Sequence, residues 1–277
     1  MPRKRDPEGR MPLGEHLREL RARLLKSLFA IFVASAVSFA FFDRIWAILR
    51  RPYCEVHQTH ALQTASGCGT LVFESVFDPI LWHVKVAVIA GLVLASPIWL
   101  YQLWAFVTPG LHSNERRYAL QFVGTAVPLF LGGATLAYFV MAKGLQVLLH
   151  FAPAGTVSLI SIDHYLSYAF AMLLMFGLSF DIPLLVVLLN RIGVLSYRRL
   201  AKSRRVSYFL VFVFSAIATP SGDPFTMLAL GIPLVVLLEI ATQIARVHDA
   251  RKERAFAASP YAGLSDDEPS PLDLPTG

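Results

Sequence analysis

An all-α integral membrane protein of six transmembrane helices, with both termini on the cytoplasmic side, is the fold class that three features of this chain predict. Hydrophobic residues make up 55% of the 277 positions and charged residues only 16%, with a mean hydropathy of +0.55, far from a soluble globular average. The apolar residues fall into separate runs, several of them near the ~20 residues a helix needs to cross a bilayer. The 25 Lys and Arg are also distributed by side. Seven precede the first run, two follow Glu115, six lie between 190 and 205 and four follow 245, whereas the loops between these carry only Arg44, Arg50, Arg51 and Lys143. That bias orients both termini inward. A net charge of +6 spread this way serves membrane orientation, and without basic-aromatic interleaving it excludes nucleic-acid binding.

Residues 1–23 form a polar, basic segment. Leu13, Leu17, Leu20 and Leu24 recur at helical spacing while His16, Glu19 and Arg23 take other faces, so an amphipathic helix lies on the cytoplasmic surface and runs into a first span over 24–42. Lys26 sits close enough to that span's end to snorkel. Ala34-Ser35-Ala36 also fits the small-x-small pattern of a cleaved signal, but the apolar run continues through Phe42 and more spans follow. A loop over 43–83 holds both cysteines and an apolar stretch from Leu71 to Trp82 placed at the interface. The second span is read over 84–107, the third over 118–141 and the fourth over 165–189, with a charge-poor loop over 142–164 between the last two. After the basic loop 190–205 come two shorter spans, 206–219 and 225–245, separated by the turn Pro220-Ser221-Gly222-Asp223-Pro224. The fifth span's ~14 apolar residues reach about 21 Å against a hydrocarbon core of about 30 Å, so the bilayer thins there or the pair walls a wetter cavity. Pro233 frees a carbonyl and bends the sixth span. Residues 246–277 form a cytoplasmic tail, rich in Pro, Ser and Asp towards its end and read as disordered.

The candidate chemistry is sparse. From Pro97 to Arg117 an aromatic belt of Trp99, Tyr101, Trp104 and Phe106 ends at a membrane surface, breaks at Pro109-Gly110 and leads to Glu115, Arg116 and Arg117. Alone, that turn reads first as a solvated loop with an orienting basic pair. Asp181 is the one carboxylate in the fourth span, a functional candidate because an intramembrane acid is costly unless it faces protein or water; a protonated acid bonded to a neighbouring helix is the structural alternative. Glu239 lies in the sixth span nearer its cytoplasmic end, and the two acids could face one cavity. An aspartyl protease needs two carboxylates within a few ångströms, whereas Asp223 sits at the outer boundary and Asp181 roughly 24 Å along a helix. With no H-E-x-x-H or G-x-S-x-G pattern, enzyme activity is not expected. Cys54 and Cys68 face the oxidising side, either as a disulfide or as two thiols. His57 and His60 are too sparse beside them to make a metal site, and no cofactor is implied.

Taken in order, His16-Leu17-Arg18-Glu19-Leu20-Arg21, Tyr101 to Phe106 with Pro109 and Glu115-Arg116-Arg117, Phe176 to Pro183, and Thr219-Pro220 with Asp223 resemble the twin-arginine translocase subunit family TatC, over about residues 13–246. The resemblance implies a concave, glove-like bundle in the bacterial cytoplasmic (plasma) membrane. It would act as a receptor for paired-arginine signal peptides of folded proteins, exported under the proton-motive force. Glu19 and Glu115 would form the cytoplasmic patch for the two arginines, with Phe106 and Arg116 beside it, and a guanidinium suits a carboxylate because it is permanently charged and engages bidentately. The signal's apolar part would insert near Asp181, which stands where the family usually has Glu or Gln. Pro220 and Asp223 would match the outer turn. Single-span TatA- and TatB-type subunits, self-association and the lipid bilayer are the implied partners. A proton-coupled secondary transporter using Asp181 is the rival reading; it gives Glu19 and Glu115 no role.

Overall fold

The computed structural model describes residues 13–57, 71–107, 115–150 and 160–258. Ten helices run in the order α1 (Leu13–Ala40), α2 (Phe42–Leu49), α3 (Arg51–His57), α4 (Asp78–Leu94), α5 (Ser96–Val107), α6 (Glu115–His150), α7 (Ile162–Arg191), α8 (Tyr197–Lys202), α9 (Arg204–Ala218) and α10 (Pro224–Ala257). Strand β1 (Leu71–Val72) pairs in parallel with β2 (Ile160–Ser161). Among the described residues, α1, α6, α7 and α10 are long and apolar enough to cross a membrane, and α4 with α5, bent by 60°, makes a fifth candidate. The 15 residues of α9 extend about 22 Å, short of a ~30 Å core.

The helices are longer than hydropathy alone suggests. α4 begins at Asp78 and α6 continues to His150, so much of both loops read from the sequence is helical. α2 and α3 occupy the start of the first loop, and the stretch placed at the interface begins with β1. The segment 246–257, read as the start of a disordered tail, is instead the end of α10. It is held there by Asp249, whose carboxylate accepts the Tyr197 backbone N–H at 2.7 Å and the Asn190 side-chain amide at 2.9 Å.

Each break in the helices has a chemical cause. Pro97 brings no N–H and its ring clashes with the preceding turn, ending α4, and the Trp99 indole N–H bridges the break by donating to the Leu92 carbonyl at 2.9 Å. Pro52 likewise has no N–H for the Ile48 carbonyl, which accepts from Tyr138 Oη at 3.0 Å instead, while Tyr165 Oη donates to Leu49. These tyrosines pin α2 and α3 to α6 and α7. At the same end Lys85 of α4 pairs with Asp163 of α7.

The core lies along α6 and α7, which run antiparallel and touch at glycines. A Cβ on Gly133 would come within 2.5 Å of the Phe176 carbonyl oxygen, and one on Gly177 within 2.5 Å of the Phe130 ring. Phe130, Ala137, Met172 and Phe176 are fully buried along this seam. Gly91 of α4 gives the same closeness to α1, where its Cβ would meet the Ser35 backbone N at 2.6 Å. α1 leans mainly on α4 and α5, and most of its large apolar side chains, Phe29 and Phe32 among them, face outward.

Candidate functional site

The start of α1 and the end of α5 meet because α5 is turned away from α4. The His16 ring stacks on Phe106 with centroids 4.5 Å apart and planes 18° from parallel. One turn along α1, Glu19 accepts from Arg23 Nε at 2.9 Å and Nη2 at 2.5 Å, a pair of intermediate exposure. Behind this face Trp104 is buried and stacks on Phe122, over which the Arg191 guanidinium lies at 5.4 Å. An acceptor for a guanidinium therefore sits beside a two-ring platform, at the end of the bundle where α1 begins and α7 ends. Glu115 opens α6, but its side chain and that of Arg116 lie outside the described residues, as do residues 108–114. The face is thus built from Glu19 and Phe106 together with His16 and Arg23, which residue-type reasoning left without a role. Their signal was spacing: 16, 19 and 23 fall on one helical face.

The bend that builds this face depends on Trp99. A Trp99→Phe exchange keeps the ring that packs edge-on against Phe130 but leaves the Leu92 carbonyl without its donor. About 1 kcal/mol of stability should be lost, and the distance between spin labels on the exposed positions Leu94 and Leu103 should change.

Asp181 and Glu239 occupy different surroundings. Asp181 is buried on α7, one turn beyond Gly177, and neither carboxylate oxygen has a hydrogen-bond partner among the described residues. A charge there would be costly without compensation. Glu239 has three partners: Arg204 at 2.8 Å and Tyr208 Oη at 2.7 Å, which join α9 to α10, and Gln243 Nε2 of α10 itself at 2.7 Å. It lines a cavity of about 760 Å³ that Asp181 does not line.

Asp223 caps α10. Its Oδ1 accepts the Thr226 N–H at 2.8 Å, its Oδ2 accepts from Thr226 Oγ1 at 2.6 Å, and Ser221 Oγ lies 2.7 Å from the same hydroxyl. Pro224 follows at the first helical position and Gly222, after Pro220, takes φ +61°, so Asp-Pro after a left-handed glycine was a legible helix start. Burial pushes the Asp223 carboxyl up, but hydrogen bonds from Ser221, Thr226 and the Phe225 N–H outweigh it and hold the carboxyl below its ordinary value. A depressed folded pKa stabilises above the unfolded value of about 3.9 and stops stabilising as acid titrates the folded group. Asp223→Ala should therefore cost about 1–2 kcal/mol at neutral pH, and its thermal-unfolding deficit should shrink as pH falls below the unfolded value and through the lower folded one.

Cys54 sits on α3 and is not a free thiol, while Cys68 lies outside the described residues. Among the described residues no cluster of His, Cys, Asp and Glu could hold a metal.

Comparison with known proteins supplies a family. The sequence model described as "Sec-independent protein translocase protein (TatC)" matches residues 15–233. A Sec-independent protein translocase protein TatC from Frankia casuarinae is 49% identical over 271 residues, covering 96% of this chain and 74% of that protein. The one from Xylanimonas cellulosilytica is 38% identical, covering 90% and 88%. A crystal structure of a twin-arginine translocase receptor, TatC, in the detergent DDM superposes with a TM-score of 0.66 at 31% identity, over 83% of this chain and 99% of that one.

Proposed function

From the chain's membership of the TatC family of Sec-independent protein translocase proteins, we propose that it is the receptor and core subunit that binds paired-arginine signal peptides of folded proteins. The observation that carries this reading is that Glu19 already holds a guanidinium, that of Arg23, beside the stacked His16 and Phe106. A guest arginine makes the same charge-assisted fork, and Glu115, at the first turn of α6, is the second acceptor, with Arg116 beside it. The Lys and Arg distribution orients this face to the cytoplasm with both termini inside, in the plasma membrane of a bacterium. TatA- and TatB-type single-span subunits, further copies of the chain and the proton-motive force complete the translocase. Cys54 pairs with Cys68 across the outer loop: the sequence has two cysteines and Cys54 is not free.

Binding of a synthetic twin-arginine signal peptide to the purified full-length protein tests the reading, beside a twin-lysine peptide and the Glu115→Gln variant. Weaker binding of the lysine peptide and of the variant, each by about tenfold or more, is expected. Equal affinity throughout would remove Glu115 from recognition. The buried, unpartnered Asp181 favours the second reading, a proton-coupled carrier; that carrier would tolerate Glu115→Gln and lose transport with Asp181→Asn.

A further inference from the structure

The cavity beside Glu239 has no role in signal recognition, and its walls are of two kinds. On α10, Val236, Ile240, Ile244 and Val247 follow one another at helical spacing and are each about half exposed, so one apolar stripe faces the cavity with none of the described residues packed over it. Val187 of α7 continues the apolar wall. At the end near α8, Arg191 and Arg251 line the same space.

The charges are arranged to leave those two arginines available. Glu239, the cavity's one carboxylate, is satisfied by Arg204, Tyr208 and Gln243, so its charge is compensated from within the chain. Arg191 touches Phe122 through a ring contact at 5.4 Å, and among the described residues neither it nor Arg251 makes an ion pair. We propose that this cavity is a binding site for one anionic phospholipid, with its phosphate between Arg191 and Arg251 and an acyl chain along the α10 stripe.

Size and charge favour a lipid over a protein helix. A volume of about 760 Å³ falls within the usual ~300–1,000 Å³ of a small-ligand site. A helix about 10 Å across would exhaust it in roughly two turns. Two arginines with no ion pair among the described residues, above an apolar wall, complement a phosphate above a hydrocarbon chain, and basic pockets between membrane helices at the inner leaflet select anionic headgroups. None of these residues lies at Glu19 or Phe106, and only Arg191 reaches towards that face, through its contact with Phe122.

Native mass spectrometry of the full-length protein in mild detergent, supplied with phosphatidylglycerol, phosphatidylcholine or inorganic phosphate, tests the assignment. Phosphatidylglycerol should remain bound one to one, well above phosphatidylcholine, and Arg191→Gln with Arg251→Gln should lower its retention by about thirtyfold. Arg205→Gln, also basic but outside the cavity, should change nothing. Ile240→Trp, which fills the groove and keeps both arginines, should also lose the lipid, with an unchanged unfolding temperature showing the bundle intact. Equal retention of phosphatidylcholine would make the site a plain apolar groove open to any chain or partner helix. Displacement by inorganic phosphate would make it a free-phosphate site. Either result, or unaltered retention in the double-arginine variant, overturns the proposal.

Discussion

Glu19→Gln should weaken twin-arginine peptide binding by roughly tenfold or more, while Arg23→Gln should strengthen it by about twofold. Both numbers come from one competition. The resident Glu19–Arg23 contact joins neighbours four residues apart on a helix, with both side chains partly exposed, and such pairs contribute only about 0.3–0.5 kcal/mol. Displacing it costs the guest little, which is the small gain Arg23→Gln should reveal. A hydrogen bond from a guest guanidinium to an ionised carboxylate contributes about 1.5–3 kcal/mol, and Gln keeps the shape but not the charge. Isothermal titration with the three proteins separates the effects. If Arg23→Gln weakened binding as much as Glu19→Gln, Arg23 would be a partner of the guest and the competition scheme would fail.

Gly133→Val should unfold the bundle more readily than any surface change, lowering stability by about 3 kcal/mol, or roughly 10 °C in thermal unfolding. The new Cβ would meet the Phe176 carbonyl oxygen at 2.5 Å. That atom is backbone, so relief requires α6 and α7 to separate and the buried Phe130, Met172 and Phe176 to lose their neighbours. Gly124, on the same helix with nothing within 4 Å of its Cβ, supplies the control. Gly124→Ala should stay within about 0.5 kcal/mol of the parent. Equal effects at the two positions would mean the seam is not the close approach described.

Much of this fold is legible as hydropathy. The apolar runs of α1, α6, α7 and α10 stand out because membrane helices must be apolar on nearly every side, and the shortfall of α9 is visible as a simple count. The second span hides more. Pro97 is plain in the sequence, yet Val84 to Val107 reads as one straight run, because hydropathy averages over a bend that a missing N–H and one indole contact create. β1 and β2 are two residues each and pair across 89 positions, which no local pattern encodes. Where α1 meets α5, Glu19 and Phe106 were named as candidates through motif order, and the stacking of His16 on Phe106 was not legible, since the two are brought together by the turn at Ala95. Asp181 and Glu239 look alike as acids in apolar helices. Only packing distinguishes them, one with no partner among the described residues and the other with three.

The turn at Ala95 also makes α5 a lever. Its 12 residues give an arm of about 18 Å, so a swing of about 10° at the Pro97 fulcrum would carry Phe106 roughly 3 Å, several times the ~0.5 Å window within which a hydrogen bond keeps its strength. The aim of the face formed by His16, Glu19 and Phe106 is therefore set almost a full helix length away from it, by an indole reaching back over a gap in the backbone. A small steric change at that fulcrum would be felt as misalignment at the far tip, while α6 and α7, locked glycine to backbone, stayed still as the stator.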